Sequence, residues 1–340
     1  MKYINEILQG DSLTRLKDID SESINCIVTS PPYWALRDYK TEGQIGIEKT
    51  IDEYINNLIK VFDECKRVLK KTGTCWVVLG DTYAGTGHKG DYKDPKYENG
   101  RNGQEIALNN KIEGIKDKSL CMIPQRFAIR MVDYGWICRC IPIWQKPNCM
   151  PSSAKDRFTV DYEFIHFFTK SQKYYFKTQY EPLSPVTIEE VKKFYNGKGR
   201  KDYEGNKVQN PSNVKRSIIK KFAPIGGVKH VGESNATYSD NEYNPNIEIG
   251  RIKRCIWSIP TKPFPDAHFA VFPEELVKQC ISAGCPEDGI VLDCFMGSGT
   301  TALVALKNNR KFMGIELNED YIKIANKRIE PYLNQMKLFT

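Results

Sequence analysis

The chain has only four histidines and, among its eleven cysteines, no Cys-x-x-Cys pair. Structural zinc sites need closely spaced ligand pairs, and the nearest approach, Cys138-x-Cys140, does not supply them. An odd number of cysteines without a paired framework argues for reduced, mostly buried thiols rather than a disulfide-stapled fold. No apolar run approaches the ~18–20 residues that span a bilayer. The N-terminal MKYINEILQGDSL lacks the long apolar core and small-residue cleavage site of an export signal, so a cytoplasmic location is expected. What remains is 340 residues, 40% hydrophobic and 27% charged, which excludes a mainly disordered chain. That length can bury a real core without metal or disulfide staples.

The net charge of +8 is concentrated in one place. Between Val191 and His230 stand eleven lysines and arginines, among them Lys192, Lys193, Arg200, Lys201, Lys215, Arg216, Lys220 and Lys221, opposed only by Asp202 and Glu204. The rest of the chain is close to neutral. A segment this basic suits a polyanion, most simply the phosphates of nucleic acid, although a solvated basic loop has the same composition. Its Pro-, Asn- and Gly-rich surroundings, residues 177–250, differ from both flanks and read as an insertion.

Elsewhere the pattern is α/β. The run INCIVT at 24–29 predicts a buried parallel strand, and TCWVVL at 74–79 another. Between them Thr50 and Glu53 form a capping box, followed by apolar residues at helical spacing as far as Leu69, with Gly73 as the stop. That β–α–β unit implies a parallel sheet with a right-handed crossover. Residues 82–118 are polar and without periodicity, as in a long loop or lid. A helix is predicted over 124–134, strands over 138–144 and 162–169, the latter reaching towards 174–176, and a helix over 273–282. A strand at 289–293, a helix from about Thr300, a strand at 311–316 and a helix from Asn318 to Arg328 complete the reading.

Two stretches carry chemistry. Asp293-Cys294-Phe295-Met296-Gly297-Ser298-Gly299-Thr300-Thr301 joins a strand to a helix, the arrangement that places a ligand at the carboxyl edge of an α/β sheet. The turn has no Gly-Lys-Ser/Thr ending, which excludes a P-loop, and lacks the third glycine of a dinucleotide fingerprint. The next strand ends in Glu316, placed to accept from ribose hydroxyls. The other stretch is Thr29-Ser30-Pro31-Pro32-Tyr33-Trp34, at the end of the first buried strand. Its prolines stiffen the turn and remove two backbone donors, leaving the carbonyls of Ser30 and Pro31 for a ligand, while Tyr33 and Trp34 offer flat faces for stacking on a ring. His166, in an apolar strand, reads as a core residue.

TSPPYW together with DCFMGSGTT resembles the amino-methylating DNA methyltransferases, and the order, catalytic motif first and cofactor motif last, resembles their circularly permuted beta class. The resemblance covers nearly the whole chain. It implies a Rossmann-like S-adenosylmethionine-dependent fold made of residues 1–176 and 251–340, with 177–250 as the inserted target-recognition region. It implies a catalytic site of Ser30, Pro31, Pro32 and Tyr33, and a cofactor site of Asp11, Asp293, Phe295, Gly297, Ser298, Gly299, Thr300 and Glu316. The segment from Arg254 to Pro273 resembles the one that closes over the methionine end of the cofactor. The implied reaction is direct attack of a flipped-out base amine on the sulfonium methyl, in duplex DNA, within a restriction–modification system whose nuclease acts separately. Serine before Pro-Pro-Tyr points to the N4 amine of cytosine, with the N6 amine of adenine as the alternative. RNA or protein-amide methyltransferases are more distant readings, because they carry Asn there and place the cofactor motif upstream.

Overall fold

The computed structural model describes residues 2–35, 43–85, 112, 114–152, 154–186, 188–189, 250–262 and 272–337. The chain divides into two units, Met1–Lys177 with Cys255–Thr340, and Thr178–Arg254. The strands in chain order are β1 (Glu6–Gln9), β2 (Ile24–Thr29), β3 (Leu69–Leu79), β4 (Ile137–Cys140), β5 (Ile143–Gln145), β6 (Tyr162–Thr169), β7 (Tyr180–Glu181), β8 (Arg251–Ile252), β9 (Ile256–Ser258), β10 (Ile290–Asp293) and β11 (Lys311–Glu316). The helices are α1 (Ser12–Leu16), α2 (Ile51–Val68), α3 (Ile123–Asp133), α4 (Glu274–Gly284), α5 (Thr300–Lys307) and α6 (Glu319–Lys337).

The larger unit is built on a nine-stranded sheet in the order β1-β11-β10-β2-β3-β6-β5-β9, with β4 also paired to β6. From β1 to β3 every pairing is parallel, and β6 joins β3 antiparallel. Alternate residues of the central strands serve different cores, as the pleat requires. Ile27, Cys75, Val77 and Leu79 pack with Tyr54, Leu58 and Phe62 of α2. Cys26, Val28, Trp76 and Val78 pack instead with Leu276, Val277 and Ile281 of α4 and with α5. Helices therefore cover both faces, which is why these strands read as unbroken apolar runs. Fully burying each such side chain stabilises the fold by about 1.5–3 kcal/mol. The capping box starts α2 as the sequence implies, with Glu53 N donating to Thr50 Oγ1 at 3.1 Å and Thr50 N to Glu53 Oε2 at 3.2 Å.

The chain leaves β2 through α2 to reach β3 on one side, and leaves β10 through α5 to reach β11 on the other. Since β10 and β2 are neighbours, a topological switch point opens between their carboxyl ends. The turns after β1, β2, β3, β10 and β11 all emerge along that edge.

Several elements differ from the sequence reading. Leu69 to Gly73 continue β3 rather than α2, because Ile24 pairs with Leu69 and a register irregularity follows before Cys26 meets Thr74. The run at 138–144 is two strands, broken at Pro142, whose missing N–H cannot continue a ladder. Residues 174–176 are not strand, although Tyr174 and Phe176 still pack on Phe167 at ring-centroid distances of 5.8 Å. Helix α6 runs past Arg328 and through Pro331, held on the sheet by Ile329, Tyr332 and Leu333. Strand β1 and helix α1 had no sequence counterpart.

In the smaller unit β7 pairs antiparallel with β8, and Glu181 Oε1 accepts from Arg251 Nε at 2.7 Å and from Arg254 Nε at 2.8 Å. Lys192, Lys193, Arg200, Lys201, Lys215, Arg216, Lys220 and Lys221 lie outside the described residues, as do 86–111 of the polar stretch. All eleven cysteines are free thiols and seven are buried. Among the described residues no helix is long and apolar enough to cross a membrane. His166 is buried, its Nδ1 3.3 Å from the Val77 carbonyl, and burial pushes its pKa down to about 4.

Candidate active site

A cavity of about 330 Å³ opens at the switch point, a volume in the range of small-molecule sites. It is lined from one side by Ser30, Pro31, Pro32 and Tyr33, and from the other by Phe295, Met296, Gly297, Ser298 and Thr300. Asp11 and Glu316 complete the rim, and Trp144, Lys146 and Glu163 line it as well.

The loop after β10 is held from behind. Asp293 is wholly buried, with Oδ1 accepting from Thr29 Oγ1 at 2.6 Å and from Phe295 N at 3.0 Å, and Oδ2 from Thr301 Oγ1 at 2.6 Å. Burial raises its pKa to about 6 against the pull of those donors. Asp293 therefore does not line the cavity. It ties the end of β2 to the turn after β10 from behind the residues that line the cavity. Gly299 is also absent from the lining. Its φ of +83° favours glycine, and a Cβ there would lie 2.7 Å from Ala325 Cβ of α6, so glycine lets the helix approach the turn. Gly297 differs, since a Cβ there would meet nothing within 4 Å. Arg328 pins the loop by donating to the Ser298 carbonyl at 2.6 Å and to Thr300 Oγ1 at 3.2 Å.

Glu316 accepts from Gly297 N at 2.7 Å and from Asn318 N at 2.8 Å, which aims its carboxylate along the rim. Burial raises its pKa, opposed by those backbone donors. Asp11 caps α1 by accepting from Thr14 N at 2.9 Å, and still borders the cavity. Six of the eight cofactor candidates thus share one cavity with all four catalytic candidates.

The turn after β2 is fixed by Tyr54, whose hydroxyl donates to the Pro32 carbonyl at 2.8 Å. Gly80, at the end of β3, leaves room for the Tyr33 ring, since a Cβ there would lie 2.6 Å from Tyr33 Cε2. Trp34 is not a stacking surface. It is 4% exposed, packs in the α2 core and donates Nε1 to the Glu48 carbonyl at 3.0 Å. The sequence reading missed Glu163 and Lys146. Tyr33 Oη donates to Glu163 Oε2 at 2.6 Å, and Glu163 Oε1 accepts from Lys146 Nζ. A lone carboxylate opening the otherwise apolar strand YEFIHFFT was the available signal.

The architecture is that of S-adenosylmethionine-dependent methyltransferases. The solved structure of a PvuII DNA methyltransferase described as cytosine-N4-specific superposes with a TM-score of 0.55 at 18% identity, covering 97% of this chain and 90% of that one. The Thermus thermophilus protein TTHA0409, described as a "putative DNA modification methylase" and solved in complex with S-adenosyl-L-methionine, gives a TM-score of 0.50 at 20% identity over 96% and 94%. A family profile described as DNA methylase, for the N6/N4 enzymes, matches residues 24–327. The type II methyltransferase M.Cfr9I of Citrobacter freundii is 36% identical over 324 residues, 95% of this chain and 87% of that protein. The type II methyltransferase M.SmaI of Serratia marcescens is 34% identical over 325 residues, 95% and 90% of the two chains. The chain belongs to the N6/N4 DNA methylase family.

Proposed function

We propose that this protein is the modification enzyme of a type II restriction–modification system, methylating the exocyclic N4 amine of cytosine at one short sequence in duplex DNA, and that it is of the permuted beta class. The observation that carries this reading is the single cavity shared by the Ser30–Tyr33 turn and the Phe295–Thr300 loop. The donor set fits S-adenosylmethionine: an open side at Gly297, an aromatic ring at Phe295, and carboxylates at Asp11 and Glu316 for hydroxyls and ammonium. Bound there, S-adenosylmethionine supplies an electrophilic sulfonium methyl.

An aromatic amine is a poor nucleophile, because its lone pair is delocalised into the ring. Ser30 Oγ and the Pro31 carbonyl can accept one N–H each, which favours a pyramidal nitrogen with its lone pair directed outward. The Pro32 carbonyl already receives the Tyr54 hydroxyl, so the acceptors offered to the amine lie one and two residues earlier. The target base must leave the helix to reach them, and the Tyr33 ring gives it a surface to stack on. The basic residues of 177–250 would neutralise DNA phosphates and fix register without themselves choosing the base. The partner nuclease of such a system would act as a separate protein.

Serine at position 30 supports cytosine N4. Mass spectrometry of nucleosides from unmethylated DNA, incubated with the protein and S-adenosylmethionine, is expected to show N4-methylcytosine. N6-methyladenine would overturn the base assignment while keeping the reaction, and neither product across varied DNAs would overturn the reading altogether.

Glu316→Ala is expected to weaken S-adenosylmethionine binding by about ten- to a hundred-fold in calorimetry, since hydrogen bonds to a charged group contribute about 1.5–3 kcal/mol. Replacing Lys215, Arg216, Lys220 and Lys221 together by alanine should flatten the dependence of log Kd for DNA on log salt by about 0.9 for each phosphate left without its cation. An unchanged slope would place the phosphate-binding residues elsewhere.

A further inference from the structure

A serine hydroxyl carries one proton and two lone pairs, so it serves as donor or acceptor according to its neighbours. To accept from a base amine, Ser30 must place its own proton elsewhere. A carboxylate or amide oxygen at the same position has no proton to place.

The surroundings of Ser30 give that proton a destination. Lys146 Nζ donates to Glu163 Oε1, an ion pair whose side chains are 20% and 16% exposed, and the same ammonium lies 4.5 Å from the Trp144 ring centroid. A carboxylate salt-bridged to an ammonium accepts hydrogen bonds and donates none, and Glu163 accepts on both of its oxygens. The Tyr33 phenol therefore donates to Glu163 Oε2 at 2.6 Å. Having given its proton away, the phenol oxygen retains lone pairs for an incoming donor, and Ser30 lines the same cavity three residues earlier in the turn. Burial, with the Glu163 charge close by, holds the phenol well above the usual tyrosine pKa, so it stays protonated at working pH. Gly80 leaves the space in which the ring sits.

We propose that Lys146, Glu163 and Tyr33 form a directional hydrogen-bond chain that draws the Ser30 proton away from the cavity and fixes Ser30 as an acceptor for the target amine. This rests on the reading that Ser30 receives that amine. Tyr33 then has two separable duties, its ring face for the flipped base and its hydroxyl for Ser30. Glu163 and Lys146 are positioning residues that act through Tyr33.

The test is a double-mutant comparison under single-turnover conditions, with DNA KM from steady state and S-adenosylmethionine Kd from calorimetry. Tyr33→Phe keeps the ring and removes only the phenol oxygen. It should slow methyl transfer by about ten-fold, with DNA KM and cofactor Kd unchanged within about two-fold. In a Ser30→Asn or Ser30→Asp background the same Tyr33→Phe change should cost less than about two-fold, because the acceptor no longer has a proton to place. Equal losses in all backgrounds would overturn the chain and leave Tyr33 a packing residue. Should neither Ser30 replacement turn over, an undiminished kcat in Tyr33→Phe alone would still overturn it. Full activity in Ser30→Ala would instead sink the catalytic reading on which the chain depends.

Discussion

Ser30→Ala should lower kcat for methyl transfer by about a hundred- to a thousand-fold while leaving S-adenosylmethionine binding within about two-fold of the parent protein. The magnitude follows from removing one preorganised hydrogen-bond partner of the reacting group. Alanine leaves one N–H of the amine without an acceptor, and a buried unpaired donor costs about 1–3 kcal/mol before any loss of pyramidal geometry is counted. Cofactor binding should persist because the Phe295–Thr300 loop is anchored by Asp293, Glu316 and Arg328, none of which touches the Ser30 hydroxyl. Calorimetry beside a methyl-transfer assay reads both quantities. Loss of cofactor binding in parallel with activity would move Ser30 from the reaction to the architecture of the loop.

The second large effect concerns stability. Asp293→Ala removes the acceptor of two threonine hydroxyls and one backbone N–H in a dry interior, and should destabilise the fold by several kcal/mol. Asp293→Asn should behave quite differently. Its amide oxygen can accept from Thr29 Oγ1 and Phe295 N, while its NH₂ can donate to Thr301 Oγ1, whose hydroxyl has the Val28 carbonyl as an alternative acceptor at 3.4 Å. The carboxyl of Asp293 titrates at about 6 in the fold, above its ordinary value of 3.8, because burial disfavours the charge. The stability this group contributes is therefore fully present below pH 3.8 and is lost as pH rises through about 6. The full change is about 3 kcal/mol. Asp293→Asn should consequently gain on the parent protein between pH 4.5 and pH 7 in urea unfolding. A difference that stays constant over that window would mean that the carboxyl titrates in its ordinary range.

The parts of the fold that showed in the sequence are those whose own residues decide the matter. INCIVT and KFMGIE are buried on both faces and so read as uninterrupted apolar runs, and the Thr50–Glu53 box marks the start of α2 without help from elsewhere. Strand β1 was hidden because only Leu8 of its four residues is buried, leaving no period to detect. The end of α6 was misplaced because Pro331 looks like a stop, yet Ile329, Tyr332 and Leu333 pack on the core and carry the helix through it. The site divides in the same way. Motif residues that follow the strands were legible, since strand ends define the ligand edge. Glu163 and Lys146 were not. Glu163 stands 130 residues from Tyr33 in the chain and meets it because β6 turns back antiparallel beside β3, bringing its partner Lys146 with it. Asp293 and Gly299 were legible as motif members, but the ties of Asp293 to Thr29 and Thr301 and the approach of Ala325 to Gly299 were not, because sequence cannot show what packs behind a turn.

The pairing of β7 with β8 brings Glu181 opposite Arg251, so the two ends of the intervening sequence, residues 182–250, lie side by side. Under the proposed reading, the part that chooses the DNA sequence is a cassette closed at its own neck. Lineages could then exchange what is read without disturbing how the methyl group is moved, and a host could acquire protection against a new nuclease by recombination at two neighbouring points. Diversity of specificity over a constant chemistry would be a property of this joint as much as of the residues that touch bases.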